Sequence, residues 1–401
     1  MNFSYPFLLD GATGSNLIAA GMNPGERTAD FILSHPDVMA DLQRRYIEAG
    51  SRVIHAPTFG VTPTKFGAEY ADTLRRLVCL TRETAEKYGN GKVLIASDMS
   101  PCGLFAEPMG HATFDDIYND FAAQIKIFVE EGVDILSFMT MYSLYESRIA
   151  LLACKELSDK PIFASVTVDK NGRTMTGSDI RTCVSLLGAL GASSAGLNCS
   201  TGPYDTAANL RSAFSAANVP LYCKPNAGTD VENYLSPESF AEAMKLLISE
   251  GACVVGGCCG TSPDHISALS KILPTCTVKQ IDRNANNGKI AVCTEKSWRE
   301  FDGNISLSPV YDVETFLEEC FDFDPDEYDA AHIELTCIDD AKELLSSCYM
   351  FDIPLAVTCD DFAVAEKMAR EYCGNLIFTD RCELEPEQRT YLSSAYASLF
   401  I

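Results

Sequence analysis

The feature that most constrains this chain is a rhythm: short apolar runs of strand length, each followed by a stretch of helical spacing, repeat eight times in the first ~275 residues. The runs are PFLLD (6–10), RVIHAP (52–57), VLIASD (93–98), ILSFMT (135–140), PIFASVTV (161–168), SAGLNC (194–199), LYCKPNAG (221–228) and CVVGGCC (253–259). Most are apolar throughout, the pattern of parallel strands covered on both faces. Between them lie segments such as ADLQRRYIEAG, TLRRLVCLTRETAEKYG, DDIYNDFAAQIKIFVEEG and SFAEAMKLLISEG, whose apolar spacing is helical and which end in glycine where a C-cap is expected. Eight such units predict an α/β fold of the (β/α)8 TIM-barrel type. An open doubly wound sheet is the alternative, and the regularity of eight units favours closure.

After about Thr277 the texture changes. VKQIDRNANNGK is polar, Asn-rich and without apolar period, and reads as a linker. A second alternating series follows, from KIAVCTE to EQRTYLSSAYASLF, with about four strands and four helices. The expected division is therefore a barrel over 1–278 and a small C-terminal α/β domain over 288–401. No repeated sequence motif underlies the alternation.

Composition narrows the classes of function. The formal charge of −25, without any Lys/Arg cluster, argues against a nucleic-acid partner and against an anionic membrane surface. No apolar run reaches the ~18 residues of a spanning helix, and the N-terminus lacks the basic-then-apolar order of a signal peptide. A cytoplasmic location is expected. The 17 cysteines are scattered along a long chain rather than spaced as a disulfide scaffold, so most are expected to be small buried residues.

In a barrel the site lies where the strands end. Those ends carry Asp10-Gly11, Thr58-Phe59-Gly60, Asp98, Met139-Thr140, Asn198-Cys199, Asn226-Ala227-Gly228 and Gly257-Cys258-Cys259-Gly260. Cys199 closes the sixth strand and Cys258 and Cys259 the eighth, two strands that a barrel brings near each other. Thiolates are soft ligands suited to zinc, and three of them with one exchangeable position form a catalytic rather than a structural pattern. The glycines at 256, 257 and 260 allow the turn that would aim both neighbouring sulfurs at one ion. The ordinary alternative, two small residues in a Gly-rich turn, does not explain Cys199 on a second strand end.

The segments FLLDGATGSNL, TFG, GLNCSTGP, KPNAG and GGCCGTSPDHI, in that order, resemble the homocysteine S-methyltransferase family over about residues 5–275. The opening stretch, including GMNPGERTADFILSHPDVMADLQRRYIEAG, is most similar to the module of cobalamin-dependent members. The resemblance implies a zinc-bearing (β/α)8 barrel with Cys199, Cys258 and Cys259 as the zinc thiolates. It implies that Asp10, Gly11 and Ala12 help hold the amino-acid end of the substrate, with a turn-capping Asp as the alternative. Asn226 matches a residue that completes the metal shell when no thiol is bound; a turn-forming Asn is the other reading. Thr58 and Phe59 match one wall of the pocket, although Phe59 equally suits core packing, and Asn198 is counted with the same pocket.

The implied reaction turns a small thiol, homocysteine first, into a nucleophile that accepts a methyl group to give methionine. A methyl-corrinoid on a separate protein is the first donor implied; betaine or another small methyl compound is second. No Asp-x-His-x-x-Gly cobalamin pattern occurs in the chain. One departure stands out. Relatives carry Glu-Thr at the end of the fourth strand, where the carboxylate grips the substrate ammonium, whereas this chain has Met139-Thr140. A different thiol, or a non-catalytic zinc- or thiol-binding subunit, are the readings this substitution opens. His55, near a strand mouth, is expected to be a structurally satisfied histidine, with a substrate-facing or metal-supporting place as the alternative. Within the C-terminal segment, IPLAVTCDDFAVAEKMAREYCGNLIFTD resembles part of the pterin-binding barrel, but four units are too few for that barrel and no folate binding is expected. Its use in homo-oligomer formation or partner docking is one expectation, and an unrelated α/β cap is the other.

Overall fold

A computed structural model describes residues 3–281 and 288–401. Half of the expected polar linker, 282–287, thus lies outside the described residues. Contacts divide the chain into two units: 1–104 with 115–281, and 105–114 with the chain after 281. The assignment of 105–114 to the second unit was not foreseen.

In the first unit eight parallel strands form a ring. They are β1 (Phe7–Leu8), β2 (Val53–His55), β3 (Leu94–Ala96), β4 (Leu136–Met141), β5 (Ile162–Val166), β6 (Ser194–Cys199), β7 (Leu221–Pro225) and β8 (Ala252–Val255). A ladder runs β4-β5-β6-β7-β8-β1, and β2 pairs with β3. Two seams complete the ring. Between β1 and β2, the Arg52 amide donates to the Leu8 carbonyl at 2.9 Å. Between β3 and β4, Ile95 accepts from Asp134, Met99 donates to Ser137, and Met139 donates back to Met99. The predicted (β/α)8 barrel is the fold observed.

The helices that follow the strands begin and end as the sequence indicates. Pro36, Pro203, Pro237 and Pro263 stand at first-turn positions, where a missing N–H costs nothing. Gly50, Gly132 and Gly251 take the left-handed conformation just past their helices, at φ of 107°, 70° and 120°. Gly89 does not; it ends its helix with φ −85° and is glycine because a Cβ would meet the Ala85 carbonyl oxygen at 2.5 Å.

Side chains that alternate inward along the strands fill the barrel. Phe7, Leu9, Val53, Ala96, Ile135, Met139, Phe163, Tyr222 and Val254 form one buried cluster. Burying side chains of this size is worth roughly 1.5–3 kcal/mol each, which makes the cluster the main driving force for closing the ring.

The second unit has an antiparallel pair, β9 (Lys289–Cys293) with β10 (Trp298–Asp302), and a parallel sheet in chain order: β11 (Leu307–Tyr311), β12 (Ala330–Glu334), β13 (Leu355–Thr358), β14 (Ile377–Phe378) and β15 (Leu399–Phe400). Val292, Ala330, Ala356 and Ile377 form its core. The four helices match expectation, but there are more strands than the expected four. WREFD has no fully buried residue and therefore no apolar signature. LSPVY carries Pro309, which is tolerated because β11 is an edge strand. The last two residues of the supposed final helix form β15, after Ala397 turns the chain at φ 56°.

Candidate active site

The strand ends bring three sulfurs together. The Sγ atoms of Cys199, Cys258 and Cys259 lie within 4.8 Å of one another, and Cys199 Sγ is 3.8 Å from Cys259 Sγ. Backbone geometry aims them. Cys199 and Ser200 sit at φ 61° and 51°, a left-handed conformation that non-glycine residues adopt at a cost and that bends the chain off β6. Gly260 has φ 81°, and a Cβ there would meet the Tyr234 ring at 2.4 Å, so the turn after the Cys pair requires glycine. The Cys258 amide donates to the Pro225 carbonyl at 2.8 Å, and Cys259 accepts from the Ala227 amide at 2.8 Å, which ties the end of β8 to that of β7.

The electrostatics of the triad call for a cation. Hydrogen bonds from Cys199 and Cys258 hold the Cys259 thiol down to about 3. Cys258 is helped by the Cys199 hydrogen bond, but Cys259 and burial oppose this and push it up to about 11. Cys199, which donates to both and is partly buried, is raised further. One negative charge is therefore easy and three are not, unless a metal ion compensates them. Asn226 stands beside the triad with its Oδ1 buried and without a hydrogen-bond partner among the described residues. A soft S3 set next to an unsatisfied oxygen acceptor fits a zinc ion.

Asn198 braces this arrangement. Its Oδ1 accepts from the Thr140 amide at 2.7 Å and from Ser165 Oγ at 2.8 Å. Its Nδ2 donates to Thr140 Oγ1 at 2.8 Å and points at Cys258 Sγ, 3.9 Å away. Expected as a substrate contact, it is a fully engaged link between four strand ends. Thr140, at φ 59°, is the residue on β4 that this link requires.

The first loop is occupied in a way the sequence did not reveal. Both oxygens of Asp10 are taken: His55 donates its amide to Oδ2 at 2.8 Å and its Nδ1 lies 2.8 Å from Oδ1, which also accepts Lys224 Nζ at 2.8 Å. Burial disfavours the Asp10 charge, but His55 and Lys224 outweigh it and hold the carboxyl far below its ordinary range. The amide of Ala12, expected for the substrate, is given to Thr261 Oγ1 at 3.1 Å, and Tyr46 donates to the Ala12 carbonyl at 2.7 Å. Gly11 is required by packing, since a Cβ would meet Tyr46 Oη at 2.7 Å. Thr58 is buried and exchanges hydrogen bonds with the Asp98 backbone, so it ties two loops together. Phe59 is 45% exposed, which removes the core-packing alternative and leaves it at the surface after β2.

Met139 lies in the barrel's interior cluster, and its Sδ accepts a hydrogen bond from Tyr222 Oη at 3.0 Å. Glu146 is buried, with Oε1 accepting from the Cys102 amide at 2.7 Å and Oε2 without a partner among the described residues. Sequence reasoning missed Lys224, Tyr222 and Tyr234, left Asp98 unassigned and favoured a structural over a substrate-facing His55. Lys224 and Asp98 did carry a signal. Each is a charged residue at the end of an otherwise apolar strand, where burial of charge needs a reason.

A family model for homocysteine S-methyltransferases matches residues 7–273, and the chain belongs to that family of methyltransferases. Among curated proteins it is similar to methionine synthase of Mycobacterium leprae (30% identical over 299 residues, 68% of this chain and 25% of that protein). It is likewise similar to methionine synthase of Mycobacterium tuberculosis (31% over 286 residues, 65% and 24%). The chain thus spans about a quarter of the length of these relatives. Among solved structures, the homocysteine methyltransferase MmuM from Escherichia coli in its metallated form superposes with a TM-score of 0.57 at 22% identity, over 66% of this chain and 95% of that one. That likeness concerns the fold.

Proposed function

We infer that the chain is a zinc-dependent thiol S-methyltransferase that converts homocysteine to methionine. The convergence of three cysteine sulfurs beside the unpartnered Asn226 Oδ1 carries this reading. The names of the relatives, methionine synthase and a metallated homocysteine methyltransferase, agree with it. Cys199, Cys258 and Cys259 would hold the ion, with Asn226 in the exchangeable place. Bound there, zinc supplies the Lewis acidity that keeps a small thiol deprotonated near neutral pH and leaves its sulfur nucleophilic. Asn198 fixes the direction of Cys258, and the bonds among the β6, β7 and β8 ends hold the sulfurs in place before substrate arrives.

For the donor, a methyl-corrinoid on a separate protein comes first, as in cobalamin-dependent members of the family, and a small methyl compound such as betaine second. Incubating the zinc-loaded protein with a panel of thiols, while following proton release and the sulfur absorption edge, tests the acceptor. Release with homocysteine is the expected result. Release only with thiols lacking an α-amino group would replace homocysteine with one of them.

A further inference from the structure

Besides Asn226 Oδ1, two buried polar atoms at the ends of β2 and β3 have no partner among the described residues: His55 Nε2 and Asp98 Oδ1. They are carried by neighbouring strands. Val53 and Ala96 both belong to the interior cluster, and β2 pairs with β3 in the register His55↔Ala96. Side chains alternate along a strand, so His55, two residues past Val53, and Asp98, two past Ala96, point into the same interior. Asp98 is 9% exposed and lies in the electrostatic field of His55, Lys224, Asp10 and Cys258. With Nδ1 facing Asp10, Nε2 is the His55 ring nitrogen left without a partner. The charges do not balance either. Asp10 is matched by Lys224, whereas no cationic side chain is hydrogen-bonded to Asp98 Oδ1. Meanwhile position 139 offers only a thioether, already bonded by the Tyr222 hydroxyl.

A group that donates several hydrogen bonds, accepts none and carries a positive charge would satisfy both atoms. A primary ammonium is such a group. We propose that Asp98 and His55 seat the α-ammonium of the thiol substrate, moving its recognition from the end of β4 to the ends of β2 and β3. The reading rests on the thiol methyltransferase assignment and names the residues that make it selective for an amino-acid thiol. Burial pushes the Asp98 carboxyl up to about 7, and a cation seated beside it would favour the charged form.

Calorimetric binding to the full zinc-loaded chain separates the alternatives, with L-homocysteine, 4-mercaptobutanoate (no amino group) and L-2-aminobutyrate (no thiol) as ligands. The wild type should prefer homocysteine to 4-mercaptobutanoate by about 10- to 100-fold, the worth of a buried charge-assisted hydrogen bond. Asp98→Asn should abolish that preference and leave 4-mercaptobutanoate unchanged, while Asp98→Glu restores part of it. Equal weakening of both thiols by Asp98→Asn would show a structural role and overturn the proposal, as would no wild-type preference. If neither thiol binds the wild type, the thiol reading falls, and 2-aminobutyrate judges Asp98 separately. Equal affinity of wild type and Asp98→Asn for it then overturns the proposal, and weaker binding by the variant supports it.

Discussion

Both units of this molecule carry parallel sheets with cysteines near the C-terminal ends of strands, yet the two sets of sulfurs are built for different ends. In the barrel, Cys199, Cys258 and Cys259 converge from two strands and are at least partly exposed, and Cys199 stands on left-handed backbone. In the second unit, Cys359 and Cys382 are both 2% exposed. There the Cys359 amide donates to Cys382 Sγ at 3.5 Å, and Cys382 Sγ donates to the Val357 carbonyl at 3.4 Å. The sulfurs of the first set contact one another and Asn198 Nδ2, whereas the second pair is closed by its own backbone. What distinguishes a metal centre from packing is thus unspent ligand capacity and access, since sulfur content and strand-end placement are common to both.

The sharpest way to break that comparison is to remove one sulfur from each set. Cys259→Ser should lower zinc affinity by more than about 100-fold and abolish methyl transfer, whereas Cys382→Ser should leave the zinc content at wild-type level, both read by metal analysis after dialysis. Zinc lost from the second variant would make the two regions equivalent after all.

A second prediction concerns stability against pH. The Asp98 carboxyl has a folded value of about 7 against 3.8 unfolded, so the folded state binds the extra proton between those values. Stability from this group is therefore present at acid pH and lost as pH rises towards 7, by roughly 1.4 kcal/mol per unit. Asp10 acts oppositely: its lowered value gives stability that is present above 3.8 and lost only in acid. Metal-free Asp98→Asn should accordingly gain about 2–3 kcal/mol on the wild type between pH 5 and pH 7, measured by urea unfolding. A constant difference across that range would mean that Asp98 is already paired.

Asn198→Ala should do less. It removes the brace on Cys258 while leaving all three sulfurs, so zinc affinity should fall about 10-fold and stability by roughly 1–3 kcal/mol. Smallest of all, the stability cost of Cys382→Ser should be about 1 kcal/mol, because a hydroxyl can keep a hydrogen bond to Val357. A larger loss there would give the second pair more structural weight than the present contrast allows.

Much of this was legible in advance. Apolar runs at regular intervals indicate parallel strands buried on both faces, eight of them favour a barrel over an open sheet, and the three cysteines were visible as strand-end residues. The pocket was less legible. Asp10, Ala12 and Asn198 were expected to face substrate, but Asp10 is matched by His55 and Lys224, the Ala12 amide by Thr261, and Asn198 by Thr140 and Ser165. None of these partners lies within 20 residues of the residue it engages, so no local pattern could announce them.

By itself, then, the sequence determined the alternation, most helix boundaries and which cysteines stand at strand ends, all set by local period and residue chemistry. Only the tertiary structure decided which polar groups remain unpaired. Hydrogen-bond capacity is spent between strands distant in sequence, and in the barrel mouth what remains is Asn226 Oδ1 beside the sulfurs and Asp98 Oδ1 with His55 Nε2 beyond them.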